Sequence, residues 1–188
     1  MLNDVWEFQN TFGHNQSTSL SVLAFAQREL RLSLQQEELN EYKKAVREGN
    51  KLEILDGLID GIYICIGSML AHGFQNVDNY LFRNKEQGEI NIDSIIFIGL
   101  GSYLYGHLSI GEIKNYYEGI LNWHIDKIKE YEQKGFFTKD CLFDAFTEVH
   151  NSNMSKLENG KPIYREDGKI LKGANFVKPD LSRFICSN

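Results

Sequence analysis

Residues 37–60 read EELNEYKKAVREGNKLEILDGLID and decide the fold, because acidic residues stand at helical spacing on both sides of a turn. Four of these acids form two pairs, each spaced by one helical turn: Glu38 with Glu41, and Glu53 with Asp56. Gly49-Asn50 between the pairs is a helix stop and turn. The stretch therefore predicts two antiparallel helices with facing acids.

The direction of these acids predicts a metal site. At about 1.5 Å rise per residue, Glu41 lies near the height of Asp56, and Glu38 near that of Asp60. Glu38 and Glu41 continue an apolar stripe that lies upstream on the same helix, and Glu53, Asp56 and Asp60 lie beside the apolar face of the next helix. Carboxylates in such positions are costly to bury without compensation. Hard oxygen ligands suit Mg²⁺ or Mn²⁺. The alternative is a pair of solvated amphipathic helices whose acids are incidental.

This acidic pattern resembles that of the all-α nucleoside triphosphate pyrophosphohydrolases, the MazG-like and phosphoribosyl-ATP pyrophosphohydrolase-like group. The residues that carry the resemblance are Glu37, Glu38, Glu41, Glu53 and Asp56. The interval between Glu41 and Glu53 is short for that group. The resemblance implies a metal-dependent hydrolase that acts on phosphoric anhydrides.

A second resemblance lies near the C-terminus. Residues 148–157, followed by residues 168–173, are similar to the tail of the phosphoribosyl-ATP pyrophosphohydrolase-like branch, many of whose members are phage-encoded. Together the two resemblances cover roughly residues 1–74 and 136–181. Residues 75–135 have no counterpart and read as a helical insertion that forms either a dimer face or a wall of the active site.

The expected fold is an all-α, MazG-like helical bundle with an antiparallel acidic hairpin, a helical insertion and a small C-terminal β-hairpin. We expect a pyrophosphohydrolase domain over residues 1–157 and a tail over residues 158–188 that docks on the active site. Helices are predicted over residues 1–13, 19–48, 51–72, 93–106, 109–134 and 138–157. Ser109 and Glu112 form a capping-box pattern.

The tail hairpin is predicted from Asp167-Gly168 between two short alternating runs. A two-residue turn there pairs Glu166 with Lys169. It also places Arg165 and Lys172 on the same face.

Charge and cysteine content limit the classes of function that the protein can have. The net charge of −6 argues against a protein that coats nucleic acid, and a binder of small anions then needs a metal or local cations. The three cysteines form no C-x-x-C pair and read as reduced thiols of a cytoplasmic protein. No signal peptide is evident, and residues 92–108 read as a buried helix and not as a membrane span.

The leading interpretation is an enzyme that cleaves a nucleoside triphosphate to the monophosphate and pyrophosphate. Glu38, Glu41, Glu53 and Asp56 are the expected Mg²⁺ ligands, with Asp60 an outer ligand. The resemblance implies that Glu37 is the general base, and a surface glutamate is the alternative.

Substrate contacts are expected from cations and amides outside the acidic cluster. Arg31 shares a stripe with the acids and either touches a phosphate or pairs with a carboxylate. Asn153 and Lys156 share a helix face and, with Arg165 and Lys172, are expected to hold phosphates; the alternative is a set of solvated tail charges. For His14 and Gln16, a plain surface loop is favoured over a nucleotide contact.

Two other functions remain open. One is phosphoribosyl-ATP hydrolysis, which uses the same chemistry. The other is a catalytically silent nucleotide- or metal-binding regulatory module. In each case we expect a homodimer or homotetramer, because a helical hairpin that is apolar on more than one face needs further helices to cover it.

Overall fold

The computed structural model describes residues 1–14, 16–75, 91–166 and 168–187. Over these ranges the chain is helical, as the sequence predicts, with six α-helices in the following order: α1 (Leu2–Thr11), α2 (Phe25–Glu48), α3 (Lys51–Ala71), α4 (Ile92–Ile98), α5 (Ile110–Gln133) and α6 (Leu142–Met154). A π-helical turn, Gly99–Tyr103, continues α4, and a 3₁₀ turn, Ser182–Phe184, lies near the C-terminus.

The hairpin of α2 and α3 forms where the sequence predicts it. Gly49 adopts the left-handed conformation, with φ +65°, and closes α2. Asn50 then caps α3, because its side-chain oxygen accepts a hydrogen bond from the backbone N–H of Glu53 at 3.2 Å. Gly57 allows a close approach, since a Cβ there would lie 3.2 Å from the backbone nitrogen of Tyr42 on α2.

Helix α3 is the centre of the core and packs against α1, α2, α5 and α6. By length and composition it is long and apolar enough to cross a membrane, but 83% of its most apolar window is buried inside the protein. It is packed as the core helix of a globular fold. Gly61 makes room for α5, because a Cβ at this position would overlap the imidazole of His124.

Helix α2 begins later than the predicted Ser19. Residues before Phe25 run over the C-terminal end of α3, where the backbone N–H groups of Ser17 and Ser21 donate to the carbonyls of Leu70 and His72. The segment thus satisfies carbonyl groups that the end of a helix leaves unpaired. This tertiary pairing outweighs the local helical pattern.

The insertion departs from the predicted buried helix. Ile92 and Tyr103 are buried, but Phe97 is 76% exposed and Leu100 is 42% exposed. Helix α5 begins as predicted, because Ser109 and Glu112 form the capping box. The predicted loop over residues 75–91 lies almost entirely outside the described residues.

The predicted C-terminal β-hairpin is wrong. No strand forms in the described part of the tail, which holds only isolated bridges such as Tyr164 with Ile170. The backbone N–H of Arg165 donates to the carbonyl of Lys169 at 2.8 Å, so the pairing is one residue away from the predicted partners Glu166 and Lys169. This shift puts Arg165 and Lys172 on opposite sides of the paired segment, against the prediction.

Helix α6 also begins later than predicted, at Leu142 and not near Thr138. Asp140 has φ +58°, which interrupts a right-handed helix. The backbone N–H of Thr138 donates to the carbonyl of Phe184 at 2.9 Å and so ties this segment to the C-terminal tail.

Candidate active site

Three carboxylates from α2 and α3 lie close together in partly buried positions. Burial, followed by the charges of Asp60, Glu41 and Glu37, raises the pKa of Glu38 to about 9. Burial and the neighbouring Asp60 raise the pKa of Asp56 to about 7. Burial also raises the pKa of Asp60, and the positive charge of Lys156 opposes this shift. These three side chains form the inner acidic cluster.

The other two predicted ligands lie at the rim of this cluster. Glu41 is exposed, yet its charge raises the pKa of each member of the inner acidic cluster. Glu53 is held by Lys178, whose Nζ lies 2.9 Å from Oε1 of Glu53. The structure thus brings all five predicted ligands to the half of the hairpin that is nearer its turn, with three of them in the cluster and two at its edge.

The inner acidic cluster suits a divalent cation in its chemistry. All of its donors are carboxylate oxygens, which Mg²⁺ and Mn²⁺ prefer. Oδ1 of Asp56 is buried and has no hydrogen-bond partner among the described residues. Over the same residues, no three acidic, histidine or cysteine side chains are arranged as a ready-made ion site. Because of their carboxylate chemistry and the unpartnered Asp56 oxygen, Glu38, Asp56 and Asp60 are the residues that would hold a metal, with the rim acids beside them.

Lysines from α6's C-terminal end and the tail surround these acids. Lys156 is largely buried, and burial lowers its pKa while Asp60 opposes the shift. The charge of Lys172 lowers the pKa of both Asp60 and Lys156. Its Nζ lies 4.6 Å from the centre of the Phe176 ring. Lys169 pairs with Glu37, so its predicted pairing with Glu166 is wrong. No local sequence pattern predicts that Lys169 and Lys178 reach the acids.

The remaining predicted substrate residues have different surroundings. Asn153 is 6% exposed and lies inside α6. Arg165 is exposed on the tail. Arg31 is only 8% exposed and pairs with no carboxylate among the described residues. Within the described part of the chain the structure thus gives no support to pairing of Arg31 with an acid, and its contact with a phosphate stays a prediction.

Arg31 lines a cavity of about 220 Å³ between the end of α1, the first half of α2 and the tail. Its polar lining also includes His14, Gln27 and Tyr164. Burial, and secondarily Arg31, lowers the pKa of His14 to about 4. The hydroxyl of Tyr164 donates to the carbonyl of Phe12 and fastens the tail over the cavity. His14 is thus part of a cavity wall and not of a plain surface loop.

Comparison with known proteins assigns the family. The sequence model described as phosphoribosyl-ATP pyrophosphohydrolase matches residues 5–80, which include both helices of the acidic hairpin. Uncharacterized protein L479 of Acanthamoeba polyphaga mimivirus is 32% identical over an alignment 179 positions long, which covers 81% of this chain and 69% of that protein. No solved structure matches the chain. The chain therefore belongs to the family of MazG-like, phosphoribosyl-ATP pyrophosphohydrolase domains.

Proposed function

We propose that the protein is a metal-dependent pyrophosphohydrolase that cleaves a nucleoside triphosphate, or its deoxy form, to the monophosphate and pyrophosphate. Membership of the family implies pyrophosphohydrolase activity in general. The observation that carries the proposal is the inner acidic cluster. Its negative charge is only partly compensated, and lysines lie next to it on the side of the tail.

The acidic cluster and the neighbouring lysines are suited to different parts of the substrate. A divalent cation bound by the acids would neutralise phosphate charge and polarise the phosphorus atom under attack. Lys156 and Lys172 lie beside Asp60 and are suited to hold the remaining phosphate oxygens by charge-assisted hydrogen bonds. Glu37 lies next to Glu38 in the chain and is our candidate for the base that takes a proton from water. In this role it would exchange its present partner, Lys169.

Phosphoribosyl-ATP is the second candidate substrate, because the matching family model carries that description. It would use the same acids and the same bond cleavage. The inner acidic cluster therefore does not distinguish the two substrates, and a direct comparison of products must do so.

The test is incubation of the purified protein with Mg²⁺ and a panel of nucleoside triphosphates, deoxynucleoside triphosphates and phosphoribosyl-ATP. We expect pyrophosphate and a monophosphate from at least one of them. Glu38→Gln should abolish the reaction, whereas Glu130→Gln, at a partly exposed acid on α5 that pairs with Lys127, should not. Absence of pyrophosphate from every nucleotide would favour the non-catalytic binding module.

A further inference from the structure

The cavity holds a buried guanidinium group that has no carboxylate partner among the described residues. Arg31 is 8% exposed, and burial lowers the pKa of its guanidinium. A guanidinium group offers only hydrogen-bond donors, and its burial favours a partner that offers acceptors. A ligand that binds in the cavity would therefore bring acceptor atoms to Arg31.

The position of Arg31 indicates which part of a nucleotide reaches it. Arg31 precedes Glu38 on α2 by two turns, which separates them by roughly 10 Å along the helix axis. In the proposed function, Lys156 and Lys172 beside the acids hold the phosphates. A nucleotide bound in this way would direct its base, one sugar away from the phosphates, toward Arg31.

The size of the cavity agrees with a base. Its volume is about 220 Å³. Pockets that enclose a complete drug-sized ligand occupy roughly 300–1,000 Å³, so this one suits a single ring system.

The polar atoms of the cavity wall define a hydrogen-bonding pattern. Arg31 supplies adjacent donors. Nε2 of His14 is buried and has no partner within the described chain. The lowered pKa, about 4, keeps the ring neutral at pH 7, so one of its nitrogens carries a proton and the other accepts. In the tautomer with the proton on Nδ1, Nε2 accepts, and the wall then presents two donors and one acceptor.

Two of the common bases complement this pattern. Guanine presents N7 and O6 as adjacent acceptors with N1–H beside them, and cytosine presents O2 and N3 with its amino group beside them. Adenine sets an amino donor next to each of its edge acceptors, and thymine and uracil alternate acceptor, donor and acceptor. Arginine recognises the N7 and O6 pair of guanine in the same bidentate manner in DNA complexes.

We propose that this cavity binds the nucleobase of the substrate, and that Arg31 and His14 select a base with two adjacent acceptors flanked by a donor, as in guanine and cytosine. The proposal rests on the proposed function, since it assigns the base end of the same substrate. Its chemistry is shared by the two bases, which the experiment separates.

The experiment measures binding and not catalysis, so its failure is distinct from failure of the proposed activity. The four deoxynucleoside monophosphates are titrated into the full chain by calorimetry in the presence of Mg²⁺. We expect dGMP, dCMP or both to bind roughly five- to 150-fold more tightly than dAMP and dTMP, the range of one bidentate pair. If dGMP is preferred, 7-deaza-dGMP, which lacks only the N7 acceptor, should bind with the weaker affinity. This ligand-side change leaves the protein fold untouched.

Two variants assign the preference to the cavity. Arg31→Lys keeps the charge but loses the bidentate fork, and should bring the four affinities to within about threefold of one another. Arg28→Lys is the matched control on the same helix, where the side chain bonds the carbonyl of Leu104 at 2.9 Å, and should keep the preference. Equal binding of all four by the parent protein, a preference for dAMP or dTMP, no binding of any, or a preference that survives Arg31→Lys would each overturn the proposal.

Discussion

Replacing Asp56 by asparagine should stabilise the metal-free protein. The Asp56 carboxylate is buried beside Asp60, and its pKa is raised from 3.8 to about 7. Each pKa unit corresponds to about 1.36 kcal/mol. Repulsion between Asp56 and Asp60 contributes to the shift of both acids and is shared between them, so ionising Asp56 at pH 8 lowers the free energy of unfolding by roughly 2–4 kcal/mol. Asparagine has the same shape and no charge, and removes this cost.

The sign of the pH dependence follows from the raised pKa. Between the unfolded pKa, near 4, and the folded pKa of about 7, the folded state holds a proton that the unfolded chain has released. Stability from this group is therefore fully present below the unfolded pKa and is lost as the pH rises through about 7. The advantage of Asp56→Asn should be largest at pH 8 and should shrink toward pH 4.

Thermal unfolding in EDTA measures this effect. For a chain of this size, we expect the melting temperature of Asp56→Asn at pH 8 to exceed that of the parent by roughly 5–15 °C. Mg²⁺ should raise the melting temperature of the parent more than that of the variant, because only the parent keeps the full ligand set. Glu130→Gln is the control: Glu130 has a lowered pKa because it bonds Lys127 and Lys134, so the variant should lose less than about 1 kcal/mol. An Asp56→Asn protein that melts below the parent at pH 8 would refute the reasoning.

Four further outcomes are expected. Lys156→Ala should lower kcat/KM by roughly tenfold or more, through loss of a charge-assisted phosphate contact, while circular dichroism stays unchanged; an unaltered kcat/KM would contradict this. Deleting the chain after Leu157 should lower kcat/KM further, because Lys172 is also removed, and equal kinetics would assign the phosphate contacts elsewhere. Gly61→Ala should lower the melting temperature more than Gly111→Ala, where an added Cβ meets open space, since it overlaps His124. Light scattering should give a dimer or tetramer, with the exposed Phe97 as one candidate for the buried contact, and a monomer at all concentrations would contradict it.

The sequence alone determined the acidic hairpin, because its signals are local. Helical spacing of the acids, a left-handed glycine at position 49 and the cap at Asn50 act within a few residues of one another. The capping box at Ser109 and Glu112 was predictable for the same reason. The resemblance to the pyrophosphohydrolase family could be recognised from the same acids, and the family match includes that hairpin.

Only the tertiary structure decided where α2 begins, how the tail pairs and what surrounds Arg31, because the deciding contacts join residues far apart in the chain. The late start of α2 depends on bonds from Ser17 and Ser21 to the end of α3, and the tail register differs by one residue from the local turn pattern. Pairing of Lys169 with Glu37 joins the tail to α2. The burial of Arg31 beside His14 likewise requires the loop after α1 to fold back onto α2, which no local pattern predicts.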